Sequence, residues 1–164
     1  DNTLKIAQKY TDRIYKAGLV DFASIRTLTA HLAKYEWVLM LDADEILDGG
    51  IYLHTLTKLE HNAYAFPRKR WADFGLKQQL EPESYPDWQV RFFKNNTKYK
   101  FVQPLHEYFT GTAVCNYSTG PIIHHFHGLT KTSDQYQERQ DLYDRLSGGK
   151  HKTNPYWFKE QNES

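Results

Sequence analysis

The chain has 164 residues, with 21 Lys plus Arg against 20 Asp plus Glu and a formal net charge of +1. Hydrophobic residues make up 40% and charged residues 25%, the composition of one folded domain rather than of a disordered chain. So even a charge balance offers no field to gather nucleic acid or an anionic membrane, and the one cysteine, Cys115, excludes an internal disulfide and a cysteine metal site.

Residues 1–16 read as a helix, with the cap types Asp1, Asn2 and Thr3 and a roughly helical spacing of Leu4, Ala7, Ile14 and Tyr15. Gly18 ends it. A second helix is predicted from Asp21, as cap, to about Lys34, with Phe22, Ile25, Leu28 and Leu32 on one stripe. The continuous apolar run Trp37 to Leu41 reads as a strand buried on both faces, as in a parallel sheet. It ends in Asp42-Ala43-Asp44-Glu45, and ligands of open α/β sheets bind beyond the carboxyl ends of strands.

Gly49-Gly50 breaks the chain, and Ile51, Leu53, Leu56 and Leu59 predict a short helix. A strand at residues 63–66 is followed by Pro67 and the basic run Arg68-Lys69-Arg70, and residues 71–87 read as an irregular loop. Short strands follow at 89–93, 99–102, 108–110, 113–117 and 122–127. A helix is predicted from Ser133 to Leu146, stopped by Gly148-Gly149. One domain thus spans 1–148, and residues 149–164 form a polar tail with the aromatic island Tyr156-Trp157-Phe158. With no apolar run long enough to span a bilayer and no visible signal peptide, the expected location is the cytoplasm.

Four motifs carry chemistry. Asp42 and Asp44 share a face if the chain is extended, and two such carboxylates suit Mg²⁺ or Mn²⁺; they equally suit a solvated turn that caps the next helix. In His124-His125-Phe126-His127, a strand places His125 and His127 on one face as possible further ligands and His124 on the other; surface imidazoles at a strand end fit as well. Asp87, after Pro86 and beside Trp88, suits a general base near a stacked sugar, and Arg91 suits phosphate. The alternative is a turn aspartate, a core tryptophan and a surface arginine. In Leu105-His106-Glu107, neighbouring side chains of a regular strand cannot both line one cleft.

Taken in order, Asp1 to Ala7, Asp21 to Arg26, Trp37 to Glu45, Pro86 to Phe93 and Leu105 to Glu107 resemble family 2 glycosyltransferases of the GT-A fold. The branch they resemble includes lipopolysaccharide-core glucosyltransferases and peptide S-glycosyltransferases. The resemblance runs from Asp1 to about Leu146; the family carries a further strand, helix and strand ahead of the position of Asp1, and has Arg-Asn where this chain has Arg26-Thr27.

The resemblance implies an α/β, Rossmann-like nucleotide-sugar-binding domain with a mixed sheet flanked by helices, its strands parallel near the Asp42 edge and more antiparallel after it. It implies Mn²⁺ or Mg²⁺ as cofactor, a UDP-sugar as donor and a saccharide, lipid-linked or peptide acceptor. Asp44 would bind the metal, with Asp42, His125 and His127 as further metal-side residues. Asp42, Arg26, Arg91 and Trp88 would face the nucleotide sugar. Asp87 is the implied base, with Glu107 the substitute. Two rivals use the same residues: a nucleotide- or sugar-binding remnant without turnover, and a nucleotide-sugar hydrolase.

Overall fold

The computed structural model describes residues 2–18, 20–126, 129 and 132–149. His127, and the polar tail from residue 150 with its aromatic island, lie outside them. The elements in chain order are α1 (Thr3–Ala7), α2 (Phe22–His31), β1 (Trp37–Leu39), β2 (Glu45–Asp48), α3 (Leu53–Leu56), β3 (Ala63–Trp71) and β4 (Gln79–Leu80). After them come β5 (Asp87–Lys94), β6 (Lys100–Val102), β7 (Tyr108–Thr110), β8 (Cys115–Asn116), β9 (Ile122–His125) and α4 (Ser133–Leu146).

The helix expected over 1–16 forms only as α1. The hydroxyl of Thr11 accepts the Arg13 amide at 3.0 Å, a local bond that competes with helical hydrogen bonding. The Arg13 guanidinium then donates to the Leu32 carbonyl at 2.7 Å, tying this segment to the end of α2. Helix α2 starts as predicted, the Asp21 carboxylate accepting the Ser24 amide at 2.7 Å. Thr27 accepts the Phe101 amide at 2.9 Å and so binds α2 to β6. Helix α4 has the predicted bounds and a full capping box between Thr132 and Gln135. Phe22 meets its Tyr143 edge-on, ring centroids 5.6 Å apart.

Among the described residues one mixed sheet runs in the order β1-β5-β3-β9-β2, with β4 and β8 also on β3. β6 and β7 form a separate antiparallel pair. The chain is thus α/β, but the strand before Asp42 is not parallel: β1 is an edge strand antiparallel to β5, and Leu39 is 39% exposed. The parallel pairs are β8 and β9 with β3. The apolar run arises because Trp37 stacks on Phe92, centroids 4.7 Å apart, while Val38 and Met40 enter the core on the other face.

Pro67 does not end its strand. β3 continues through the basic run to Trp71. Proline gives no N–H to a ladder, and Pro67 falls where the parallel partner of β3 changes from β8, paired at Tyr64 and Ala65, to β9, paired from Arg68. The loop expected over 71–87 is mostly irregular but returns along β3 as β4.

The sheet separates two cores. One packs Ala23 and Ala30 of α2 with Val38, Met40, Phe93, Phe101 and Phe109. The other packs Leu56 of α3 with Tyr64, Phe66, Phe92 and Ile123. Gly49 and Gly120, at φ of 74° and 128°, let the chain pass between β2 and β9: a Cβ on Gly49 would lie 2.7 Å from the Gly120 carbonyl oxygen. No helix among the described residues is long and apolar enough to cross a membrane.

Candidate functional site

Strand register gathers the charged residues. Glu45 pairs with His125 across β2 and β9, Arg70 with His125 across β3 and β9, and Arg68 with Asp87 across β3 and β5. Paired residues share a face, so Glu45, Arg68, Arg70, Asp87 and His125 stand together at one end of the sheet. β5 adds Arg91 through a bulge: Tyr64 pairs with Phe92 but Ala65 with Val90, leaving Arg91 as the extra residue. The guanidinium of Arg91 reaches Glu45 in a bidentate pair, Nε to Oε2 at 2.9 Å and Nη2 to Oε1 at 2.7 Å. Both side chains are buried, Arg91 at 3% exposure and Glu45 at 0%.

From this pair a continuous line of alternating charges extends both ways. Arg91 also reaches Asp42 at 3.2 Å, Asp42 receives Arg26 of α2 at 2.7 Å, and Arg26 pairs closely with Glu107. In the other direction Glu45 lies 3.5 Å from Arg68, which donates to Asp87 through Nε at 2.9 Å and Nη2 at 2.7 Å. Arg70 then stands 3.4 Å from Asp87 and 2.5 Å from Glu81. Gln89 donates to the other Asp87 oxygen at 2.7 Å.

Burial alone would raise the Asp42 and Asp87 carboxyls. The arginines outweigh it, and both end below the usual carboxylate range: Arg26 and then Arg91 act on Asp42, and Arg68, Gln89 and Arg70 on Asp87. Burial also opposes the charge of Arg26, but Asp42 and Glu107 push its pKa up.

Asp42 and Asp44 are not on an extended chain. They lie in a tight turn closed by the Glu45 amide donating to the Asp42 carbonyl at 3.0 Å, so their carboxylates part. Asp42 goes to the arginines, and Asp44 approaches Nε2 of His125 at 3.5 Å. His124 is on the opposite face, as alternation requires. Its Nδ1 accepts the Trp71 indole N–H at 2.9 Å, and burial holds its pKa down despite Asp48, with Lys69 adding to the shift. Among the described residues no three His, Cys, Asp or Glu side chains are grouped to hold a metal ion.

Of the residues singled out in the sequence, Arg26, Asp42, Asp44, Asp87, Arg91, Glu107 and His125 come together at this end of the sheet. Trp88 does not: it pairs with Pro67 and alternates away from Asp87 and Gln89. Glu107 precedes β7 rather than lying in a strand, and His106 takes a positive φ of 56°, which turns Glu107 toward Arg26. The motifs did not name Glu45, Arg68, Arg70 and Glu81 as site residues. Extending the strand past Pro67 would have placed Arg68 and Arg70 on one face by alternation alone. No family model matches the chain, and no curated protein matches it.

Proposed function

We propose that this chain is a metal-dependent, inverting glycosyltransferase of the GT-A fold, moving a sugar from a UDP-sugar to a hydroxyl of a saccharide, lipid-linked or peptide acceptor. The observation that carries this reading is convergence. Motifs spread from residue 26 to residue 125 bring their side chains to one end of a mixed sheet, as a line of ion pairs with Asp44 and His125 beside it.

The donor set fits Mn²⁺ or Mg²⁺ in one respect. Such ions keep waters and need only one or two protein carboxylates when a diphosphate completes the shell. Asp44 with His125 beside it meets that requirement without a three-residue cluster. When bound, the cation neutralises charge on the departing nucleoside diphosphate. Arg26 and Asp42 hold the nucleotide end, and Arg91 fixes Asp42 from behind. Asp87, kept ionised by Arg68, takes the proton of the acceptor hydroxyl as that oxygen bonds the anomeric carbon. Attack opposite the leaving diphosphate inverts the centre. Glu107, bound to Arg26, is the second carboxylate.

One observation favours a second reading. Two arginines on Asp87 lower its basicity, which suits a nucleotide-binding module without turnover. Calorimetry with UDP, in Mn²⁺ and in chelator, tests the donor site on this chain and on Asp44→Ala. Binding that needs Mn²⁺ and is lost in the variant is expected; no binding in any condition sinks both readings. Asp87→Asn then separates them. The enzyme loses transfer by about 10²–10⁴-fold with UDP binding intact, whereas the module shows no transfer before or after.

A further inference from the structure

The loop between β3 and β5 ends in a contact that the proposed reaction does not use. Glu81, in the left-handed region at φ 47°, sends its carboxylate back to Arg70. Both side chains are about one-third exposed, 31% and 33%, so water screens this pair. Beneath it is a cavity of about 10 Å³ lined by Arg68, Arg70, Glu81, Ser84, Tyr85 and Asp87. That is the scale of one water molecule. The loop is clasped a second time by Lys69, whose ammonium lies 5.2 Å from the Tyr85 ring centroid.

The charges are unevenly spread along the line once Glu81 is set aside. Glu45 is held by Arg91 through both oxygens and reaches Arg68 only at 3.5 Å, so Asp87 is the close carboxylate that Arg68 and Arg70 share. Without Glu81 the line still has four guanidiniums to four carboxylates, but its Arg70 end has only Asp87 within close reach of two guanidiniums, which stand at alternate positions of a central strand. We propose that Arg68 and Arg70 form a binding site for a phosphate group, and that Glu81 occupies it until such a group arrives.

The chemistry selects phosphate over carboxylate. A ligand carboxylate would replace Glu81 by its equal and gain nothing. A phosphate brings up to about two negative charges and a third acceptor oxygen to paired guanidiniums. The cavity is too small for phosphate beside Glu81, so entry requires the Glu81 carboxylate to swing off Arg70. Resting on the reading of Asp87 as the base, the acceptor is then a phosphate-bearing molecule whose phosphate sits on Arg70 while its hydroxyl meets Asp87.

The test is calorimetry at fixed ionic strength, without UDP or metal, using inorganic phosphate and glucose 1-phosphate on the unaltered chain, Glu81→Gln and Arg70→Gln. Glu81→Gln removes a screened competitor and is expected to tighten phosphate binding about fivefold. Arg70→Gln is expected to abolish it, with Arg70→Lys partly restoring it should the glutamine variant melt early. Phosphate affinity unchanged in Glu81→Gln, or retained in Arg70→Gln, overturns the site. Glucose 1-phosphate binding more tightly than inorganic phosphate assigns the phosphate to a substrate; equal or weaker binding overturns the acceptor assignment. UDP binding in Mn²⁺ is expected to survive Arg70→Gln. Phosphate binding without UDP binding defeats the glycosyltransferase reading alone, and UDP binding without phosphate binding defeats this site alone.

Discussion

One face of the sheet has two ends of opposite character. On β3, Tyr64 and Phe66 are fully buried and apolar, and the next two residues on the same face are Arg68 and Arg70. β5 changes from Phe92 to Gln89 and Asp87, β9 from Ile123 to His125, and β2 from Leu47 to Glu45. Four strands thus cross from apolar to polar or charged toward the same end, β5 first and β9 and β2 last. Backbone geometry is shared, so the difference lies in what each half demands of its neighbours. Apolar contacts are non-directional and roughly proportional to area. Ion pairs in a line depend on every member, because a buried charge that loses its partner is not compensated by packing.

The largest expected effect comes from breaking the charged half at its most buried point. Arg91→Met leaves the fully buried Glu45 with the Asp42 amide and, as its one cation, Arg68 at 3.5 Å, and is expected to cost about 3–5 kcal/mol in urea unfolding. Adding Glu45→Leu removes the stranded charge, and the double variant is expected to regain most of that loss. If the two substitutions instead cost the sum of their separate effects, the line of charges is not coupled. The apolar half should behave otherwise. Ile123→Val, which removes one methylene beside Phe66, is expected to cost about 0.5–1.5 kcal/mol, with no second substitution that rescues it.

This contrast also separates what the sequence displays from what it conceals. The acid turn, the caps of α2 and α4 and the place of Asp87 at the start of β5 are local, and local chemistry announces them. The length of β3 is not local. Pro67 reads as a stop until the change of partner from β8 to β9 removes the need for its N–H, and those strands lie about fifty residues on. Arg68 and Arg70 were hidden with it. The antiparallel place of β1 is equally remote, since Trp37 to Leu41 satisfies the pattern of a doubly buried strand while its cover is supplied by Phe92 and Phe93. Glu81 reaches the site only through a left-handed backbone that no neighbouring glycine marks.

The smallest effect, acid titration, tells the halves apart without disturbing the core. Asp42 and Asp87 are held below their unfolded value by arginines that outweigh burial. A depressed carboxyl contributes stability that is present above the unfolded pKa, about 3.9, and is lost as pH falls through the folded one. The urea midpoint is therefore expected to decline below about pH 4. Asp21 and Asp73 on the surface are lowered too, by hydrogen bonds to Ser24 and to the Gln78 and Lys77 amides, so the decline alone does not locate its source. Asp42→Asn/Asp87→Asn isolates the line of charges: its midpoint is lower at neutral pH, and its remaining acid slope is shallower than that of the unaltered chain. Equal slopes would move the acid sensitivity to the surface aspartates. Amide exchange resolves it by position, because protonating Asp87 loosens Arg68 at one end of β3 while Tyr64 and Phe66 nearer the other pack in an apolar cluster.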